Sequence, residues 1–224
     1  MDTPAQLRFH PEPVSDGGLR TRKKLRTRAA IQDAALDLFV AQGYDATTVE
    51  QIVARAEVSP TTFFRYFGSK AEVIKSDQSE RLPALRQAIL DRPAAEDDLE
   101  VLRVAVHQEW IAAIDPERTL RQSEVIAASP ELRGASFEVG FQWRGEISEA
   151  LAERHGLDAP DDRCVFATST VMSVFWRAVE IWRRGGGRDQ LADHFDDGFA
   201  LMIDLCAEWS SNPRIAPVAP PRAG

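Results

Sequence analysis

The sequence predicts an all-α chain in which a small three-helix head precedes a larger helical body. Apolar residues recur at helical spacing from residue 31 onward rather than alternating. Cap signatures at Thr47, Ser59 and Ser69 precede the first apolar runs. The two widest apolar stripes lie near the C-terminal end, around Phe175 and Phe199.

The head is read first. Arg20, Arg22, Lys23, Lys24, Arg26 and Arg28 stand in one stretch without an acid. Ile31, Ala34, Ala35, Leu38 and Phe39 then repeat at helical spacing up to Gly43, a residue suited to a left-handed C-cap. Thr47 with Glu50 three residues on reads as a capping box, which starts a second helix carrying Val49, Ile52 and Val53 inward and ending near Ala56. Ser59 caps a third helix with Pro60 at its first position, where a missing N–H costs nothing. Only about three residues separate helices two and three, the helix-turn-helix spacing.

The body follows from the same signals. Ser69 and Glu72 open a linking helix, which Pro83 must kink or restart. Arg92-Pro93 marks a turn, and Asp97 to Ile114 carries Leu102, Ala105, Val106, Trp110 and Ala113 on one side. Pro116 and Ser129-Pro130 punctuate the next stretches, Glu131 to His155 reads as a long helix, and Gly156 with Pro160 ends it. Asp162 to Arg184 confines Ser173, Arg177, Glu180 and Arg184 to a narrow polar sector and is otherwise apolar. After Gly185-Gly186-Gly187, read as a flexible break, Leu191, Phe195, Phe199, Met202, Ile203, Cys206 and Trp209 form a second stripe. More apolar surface than one core needs predicts a homodimer through these last two helices.

Charge divides between the two parts. Residues 1–75 hold 11 Lys and Arg against 9 Asp and Glu, and the rest hold 16 against 26; the nets of +2 and −10 make the −8 of the whole. A cationic head on an acidic body suits a local contact with nucleic acid and argues against wrapping by the whole surface. Cys164 and Cys206 fit buried free thiols and have no zinc spacing. No apolar run is expected to approach the roughly 18 residues needed to span a bilayer, and no hydrophobic signal core stands at the N-terminus. The expectation is a cytoplasmic protein with no membrane contact, with proline- and glycine-rich disordered tails at 1–19 and 211–224.

Within the third helix, Phe63 and Phe67 share the face that packs inward. Pro60, Thr61 and Thr62 form an edge small enough to enter a major groove of DNA, where threonine bonds a base or touches a thymine methyl. Tyr66, Lys70 and the threonines at Thr47 and Thr48 are expected along the phosphates, with Ser59, Phe64 and the cations Arg22, Lys23 and Arg26 completing the DNA-binding set. The run Thr47-Thr48-Val49, Ile52-Val53, Ala56, Val58-Ser59, Thr62 to Phe67 and Ser69-Lys70 resembles the DNA-binding domain of the TetR family of bacterial transcriptional regulators. That resemblance implies a helix-turn-helix DNA-binding domain at 20–75, a ligand-binding and dimerisation domain at 76–210, and a near-palindromic double-stranded operator. It further implies bases facing Pro60, Thr61 and Thr62, and backbone contacts from Thr48, Phe64, Tyr66 and Lys70. Phe64 departs from the family's usual tyrosine and has no hydroxyl for a phosphate.

The second domain is similar to TetR regulators with acyl-CoA-like ligand binding, through Ser129 to Arg133, Trp143 and the aromatic helix ending in the glycines. The implied effector is a small apolar molecule such as a fatty acyl-CoA. A pocket lined from Trp110, Phe137, Phe141, Trp143, Met172, Phe175 and Trp176 would take it, with Arg144 or Arg177 meeting an anionic end. The competing readings are an all-α enzyme acting on an apolar substrate and a protein-interaction scaffold. No catalytic residue, metal site or cofactor is predicted, because His107, His155 and His194 stand near no nucleophile or ligand cluster with the required spacing.

Overall fold

A computed structural model describes residues 16–79 and 81–211, with backbone alone for 16–21 and 75–79. The described residues form ten α-helices and one 3-10 turn, and none of them is in a strand. Of the expected tails, 1–15 and 212–224 lie outside the described residues, while 16–19 already belong to the first helix. The chain divides into two compact units, Met1–Ile74 and Lys75–Gly224.

In the first unit, α1 (Asp16–Gln42) ends at Gly43, whose φ of 87° only glycine adopts without strain. Its amide donates to the Phe39 carbonyl at 2.9 Å. α2 (Val49–Arg55) starts one residue later than the predicted box. Thr48 is the N-cap, accepting from the Gln51 amide, and the Gln51 side chain accepts from the Thr48 amide in return at 2.9 Å. α3 (Pro60–Tyr66) is capped by Ser59 as expected. Ile31, Ala35, Phe39, Ile52, Phe63 and Phe67 form the buried centre, and Arg55 ties α2 to Asp37 of α1 at 2.8 Å. The turn between α2 and α3 places Glu57 at φ 54°, a left-handed position occupied by a residue with a Cβ.

α4 (Lys70–Ser79) contains the division between the units. The second unit continues with α5 (Leu82–Leu90), α6 (Asp98–Glu109), the 3-10 turn Ile111–Ala113, α7 (Pro116–Ala128), α8 (Pro130–Arg154), α9 (Asp162–Arg184) and α10 (Leu191–Ser210). Pro83, Pro116 and Pro130 each sit in the first two positions of a helix, so the prolines restart helices rather than kink them. The glycines after α9 make a tight turn and not a loose break. Gly186 and Gly187 have φ of 70° and 65°, and the Trp182 indole donates across the turn to the Asp189 carbonyl at 2.9 Å. A Cβ at Gly187 would lie 2.6 Å from Leu120, so glycine is required there by space as well.

Two layers fix how α6, α8 and α9 lie together. At one end Asp98 is buried on α6; its carboxylate lies 2.8 Å from His155 Nε2, 2.8 Å from Arg163 Nε and 3.5 Å from the buried Arg154. Twelve residues further along α6 and α9, about 18 Å by helical rise, Trp110 and Phe175 meet at 5.4 Å between ring centroids. Trp143 of α8 joins Trp110 at 5.1 Å, and Phe195 of α10 joins Phe175 at 6.3 Å. The pairings make α6 and α9 run in the same direction, with α8 and α10 running opposite. α10 approaches α9 so closely at Gly198 that a Cβ there would lie 2.7 Å from Val174.

Against the expectation that no apolar run approaches membrane-spanning length, α9 is long and apolar enough to cross a membrane by length and composition alone. The apolarity has two destinations. Val171, Met172, Phe175, Ala178 and Trp182 are buried in the core, while Val165, Phe166, Trp176 and Ile181 remain exposed on its other sides. Cys164 is buried as expected, and that burial raises its thiol above the ordinary value, whereas Cys206 lies exposed on α10.

Two stability predictions follow from these positions. Burial alone would raise the Asp98 carboxyl, but the hydrogen bonds from Arg163 and His155 outweigh it and hold the group below the usual carboxylate range. A lowered folded-state value means that its contribution is present above the unfolded carboxylate range and disappears as pH falls through the lowered value. Asp98→Ala should therefore cost about 3 kcal/mol at neutral pH, because it leaves Arg154 buried without its carboxylate. Denaturant titration at pH 7 and pH 3 checks both points, since the cost should shrink at the lower pH. Glu57→Gly should stabilise the head by about 0.5 kcal/mol, the left-handed strain relieved less the added chain entropy, and thermal unfolding would show a fall instead if the side chain had an unseen role.

Candidate nucleic-acid interface

The geometry of α3 begins with its length. Seven residues cannot hold a helix in water on their own, so Ser59 and the burial of Phe63 and Phe67 define it. With those two rings buried, Pro60, Phe64, Thr61 and Arg65, at about 100° per residue, span an arc of about 140° that begins beside Phe67 and ends opposite the buried rings. All four are exposed, and Phe64 keeps 57% of its surface in solvent. Its ring is steadied edge-on against Phe63 at 5.3 Å and 84°.

Thr62 stands apart from that arc. Its hydroxyl lies 2.9 Å from Ser59 Oγ, which also accepts from the Thr62 amide at 3.1 Å, so both hydroxyls are engaged with each other at the cap. The outward edge is thus Pro60, Thr61, Phe64 and Arg65 rather than Pro60, Thr61 and Thr62. Arg65 was missed by sequence reasoning; its guanidinium lies over the Tyr66 ring at 5.2 Å, and only its place on the same arc as Phe64 could have indicated it.

Two further phosphate candidates are corrected. Thr47 is 1% exposed, its hydroxyl donates to the Gly43 carbonyl at 2.8 Å and accepts from Gln42, and it therefore closes the turn after α1 instead of facing outward. Lys70 directs its ammonium inward, to the carbonyls of Tyr44 at 2.6 Å and Thr47 at 2.8 Å and over the Tyr44 ring at 4.0 Å. It holds the α1–α2 turn in place from the start of α4. Thr48 does remain exposed beside Glu50, whose carboxylate its own backbone amide and the Thr48 hydroxyl keep below the usual range. Tyr66 is half-buried, and Arg28, another residue outside the predicted set, reaches its carbonyl at 3.5 Å while lying 4.7 Å over Phe67. Arg22, Lys23 and Arg26 are exposed along α1.

In the body, the predicted pocket residues separate into two groups. Trp110, Trp143, Met172 and Phe175 are buried against one another in the aromatic layer. They pack as core, and the Trp110 indole N–H is buried without a hydrogen-bond partner. Trp176 lies at the rim of this layer, stacked on Trp143 at 5.9 Å and 11° and still 38% exposed. Phe137 and Phe141 are not buried with them; both are exposed on α8, where Arg144 lies 5.6 Å over the Phe141 ring. Arg177 is also outward and pairs with Glu180 at 2.9 Å. Aromatic spacing could not distinguish these groups, because α8 has apolar residues on all sides.

A groove of about 790 Å³ runs between α9 and α10. Val174, Ile181, Leu201, Leu205 and Trp209 make it apolar, with Arg177, His194 and Asp197 among its polar members. The described residues contain no group of three or more metal-ligating side chains.

A profile of bacterial regulatory proteins of the TetR family matches residues 31–76, and one described as the MftR C-terminal domain matches residues 96–206. The HTH-type transcriptional regulator TcmR of Streptomyces glaucescens is 34% identical over 206 residues, covering 86% of this chain and 90% of TcmR. MftR of Mycobacterium tuberculosis is 31% identical over 168 residues, covering 73% of this chain and 83% of MftR. Among solved structures, NalD, the secondary repressor of the MexAB-OprM multidrug efflux pump in Pseudomonas aeruginosa, is similar with a TM-score of 0.55 at 18% identity, over 82% of this chain and 96% of NalD. That last likeness shows the shared all-helical fold. The chain belongs to the TetR family of bacterial regulatory proteins and is a DNA-binding transcriptional regulator, not an enzyme.

Proposed function

We propose that the chain is a cytoplasmic repressor that binds a near-palindromic operator as a homodimer and leaves it when a small apolar effector enters the body. The observation that carries the DNA contact is the exposed arc of α3, Pro60, Thr61, Phe64 and Arg65, in the same unit as the exposed cations of α1. Pro60, Thr61 and Phe64 enter the major groove, and Thr48, Tyr66, Arg22, Lys23 and Arg26 lie along phosphates. Ser59, Thr62 and Lys70 act by shaping this surface.

The dimer reading is supported by the α9–α10 face. Leu201, Ile203, Leu205 and Trp209 are exposed on α10, beside the apolar groove. A second copy packing the same two helices would cover them about a twofold axis. Phe199 is not part of that face, since it is buried within its own subunit against Phe195.

For the effector, a fatty acyl-CoA is the class to test first. An apolar chain suits the aromatic layer, and Arg144 and Arg177, which directly follow Trp143 and Trp176 in the chain, are the cations offered to an anionic headgroup. Because the layer is packed, the ligand has to displace Trp176 and thereby favour a body conformation that does not hold DNA.

A gel shift with the DNA upstream of the protein's own gene should give a complex that long-chain acyl-CoA dissolves; no complex on any upstream duplex would overturn the regulator reading for that site. Replacing Arg22, Lys23 and Arg26 together by alanine should flatten the salt dependence by up to about three phosphate contacts, whereas Lys70→Ala should lower affinity through the α1–α2 turn with little change in slope. Sedimentation should find a dimer at micromolar concentration and a folded monomer for Leu205→Glu, because that exposed position can accept a charge in the monomer but not beneath a partner. A monomeric wild type would remove the twofold interface.

A further inference from the structure

We infer that the operator half-site is read mainly through thymine methyl groups packed on Phe64, Thr61 and Pro60. The inference rests on the DNA-binding reading above and specifies what that surface recognises.

The outward arc of α3 offers the Phe64 ring, 57% exposed, together with the Pro60 ring and the Thr61 methyl. The Thr62 hydroxyl, which would be the next polar reader, is engaged with Ser59 at 2.9 Å. The Thr61 hydroxyl and Arg65 are the exposed hydrogen-bonding groups of the arc.

Base edges in the major groove are nearly all donors and acceptors; the one apolar group presented there is the thymine 5-methyl. A phenyl ring set against guanine O6 and N7 or cytosine N4 would strip water from those atoms without replacing its hydrogen bonds, which disfavours those bases. Set against a thymine methyl, the same ring gains burial and leaves nothing unsatisfied. Phe64 also has no alternative polar role, since it has no hydroxyl to donate to a phosphate. Its ring is fixed in direction by the edge contact with the fully buried Phe63, so the methyl-facing surface is preformed.

The test uses the full-length protein and begins by enriching duplexes from a random library. In the enriched operator each thymine is then replaced singly by deoxyuridine, which removes the methyl and keeps every hydrogen-bonding group. At least one position per half-site should lose about fourfold in affinity, the effect of one buried methyl. Phe64→Ala, at an exposed site, should bind more weakly and lose its uracil sensitivity at that position. An operator equally well bound with uracil at every position overturns the inference while leaving DNA binding intact, as does an unchanged uracil profile in Phe64→Ala. Failure to enrich any sequence overturns the DNA-binding reading and this inference with it.

Discussion

The burial of Phe63 and Phe67 is the constraint on which the DNA-facing surface depends. A seven-residue helix gains too little from its own hydrogen bonds to persist, so its rotation about its axis is set by which rings must leave water. Once these two lie buried at 0% and 2% exposure, Pro60, Thr61, Phe64 and Arg65 are left as the exposed residues of α3. The caps then determine chemistry as well as position. Ser59 satisfies the start of α3 by bonding both the amide and the hydroxyl of Thr62, which draws that hydroxyl towards the cap.

The body is organised by a different pair of constraints placed at opposite ends of α6. The Asp98 cluster is directional: a buried carboxylate must meet Arg163, His155 and Arg154, which fixes the start of α9 against the end of α8. The aromatic layer at Trp110 is far less directional, since rings tolerate many tilted contacts near 5 Å. A packing change is therefore more readily accommodated at the aromatic end than at the charged end. Trp176 is the member of that layer least enclosed, which makes the rim the natural place for an effector to begin.

Helix positions were legible in the sequence wherever a side chain announces a boundary by itself. Ser59-Pro60 and Ser129-Pro130 mark starts that the structure reproduces, and Asp162 to Arg184 is recovered to the residue. Where two neighbouring residues can perform the same cap, spacing could not choose. Thr47 with Glu50 and Thr48 with Gln51 both satisfy the pattern, and the second prevails because Thr47 is drawn inward by the Gly43 carbonyl and Gln42. Lys70 was illegible for a related reason: a lysine at the start of a helix is read as solvent-facing, and only the folded turn brings the Tyr44 and Thr47 carbonyls to its ammonium. The same holds for the tryptophans and phenylalanines of the body, whose composition predicts a lining but whose contacts make most of them core.

The groove between α9 and α10 bears on how the two apolar readings of this chain relate. A ligand site and a subunit interface both require exposed apolar surface, and α9 supplies it on separate sides: Trp176 towards α8, and Val174, Ala178 and Ile181 towards α10. These positions belong to one rigid helix. Movement of α9 that opens the aromatic rim would also rotate Ala178 and Ile181 against whatever covers the groove, because a packed helix shifts as a body rather than residue by residue. An effector displacing Trp176 would then reach a twofold partner through α9 alone, and the free energy available for that coupling is limited to the ligand's difference in affinity between the two positions of the helix.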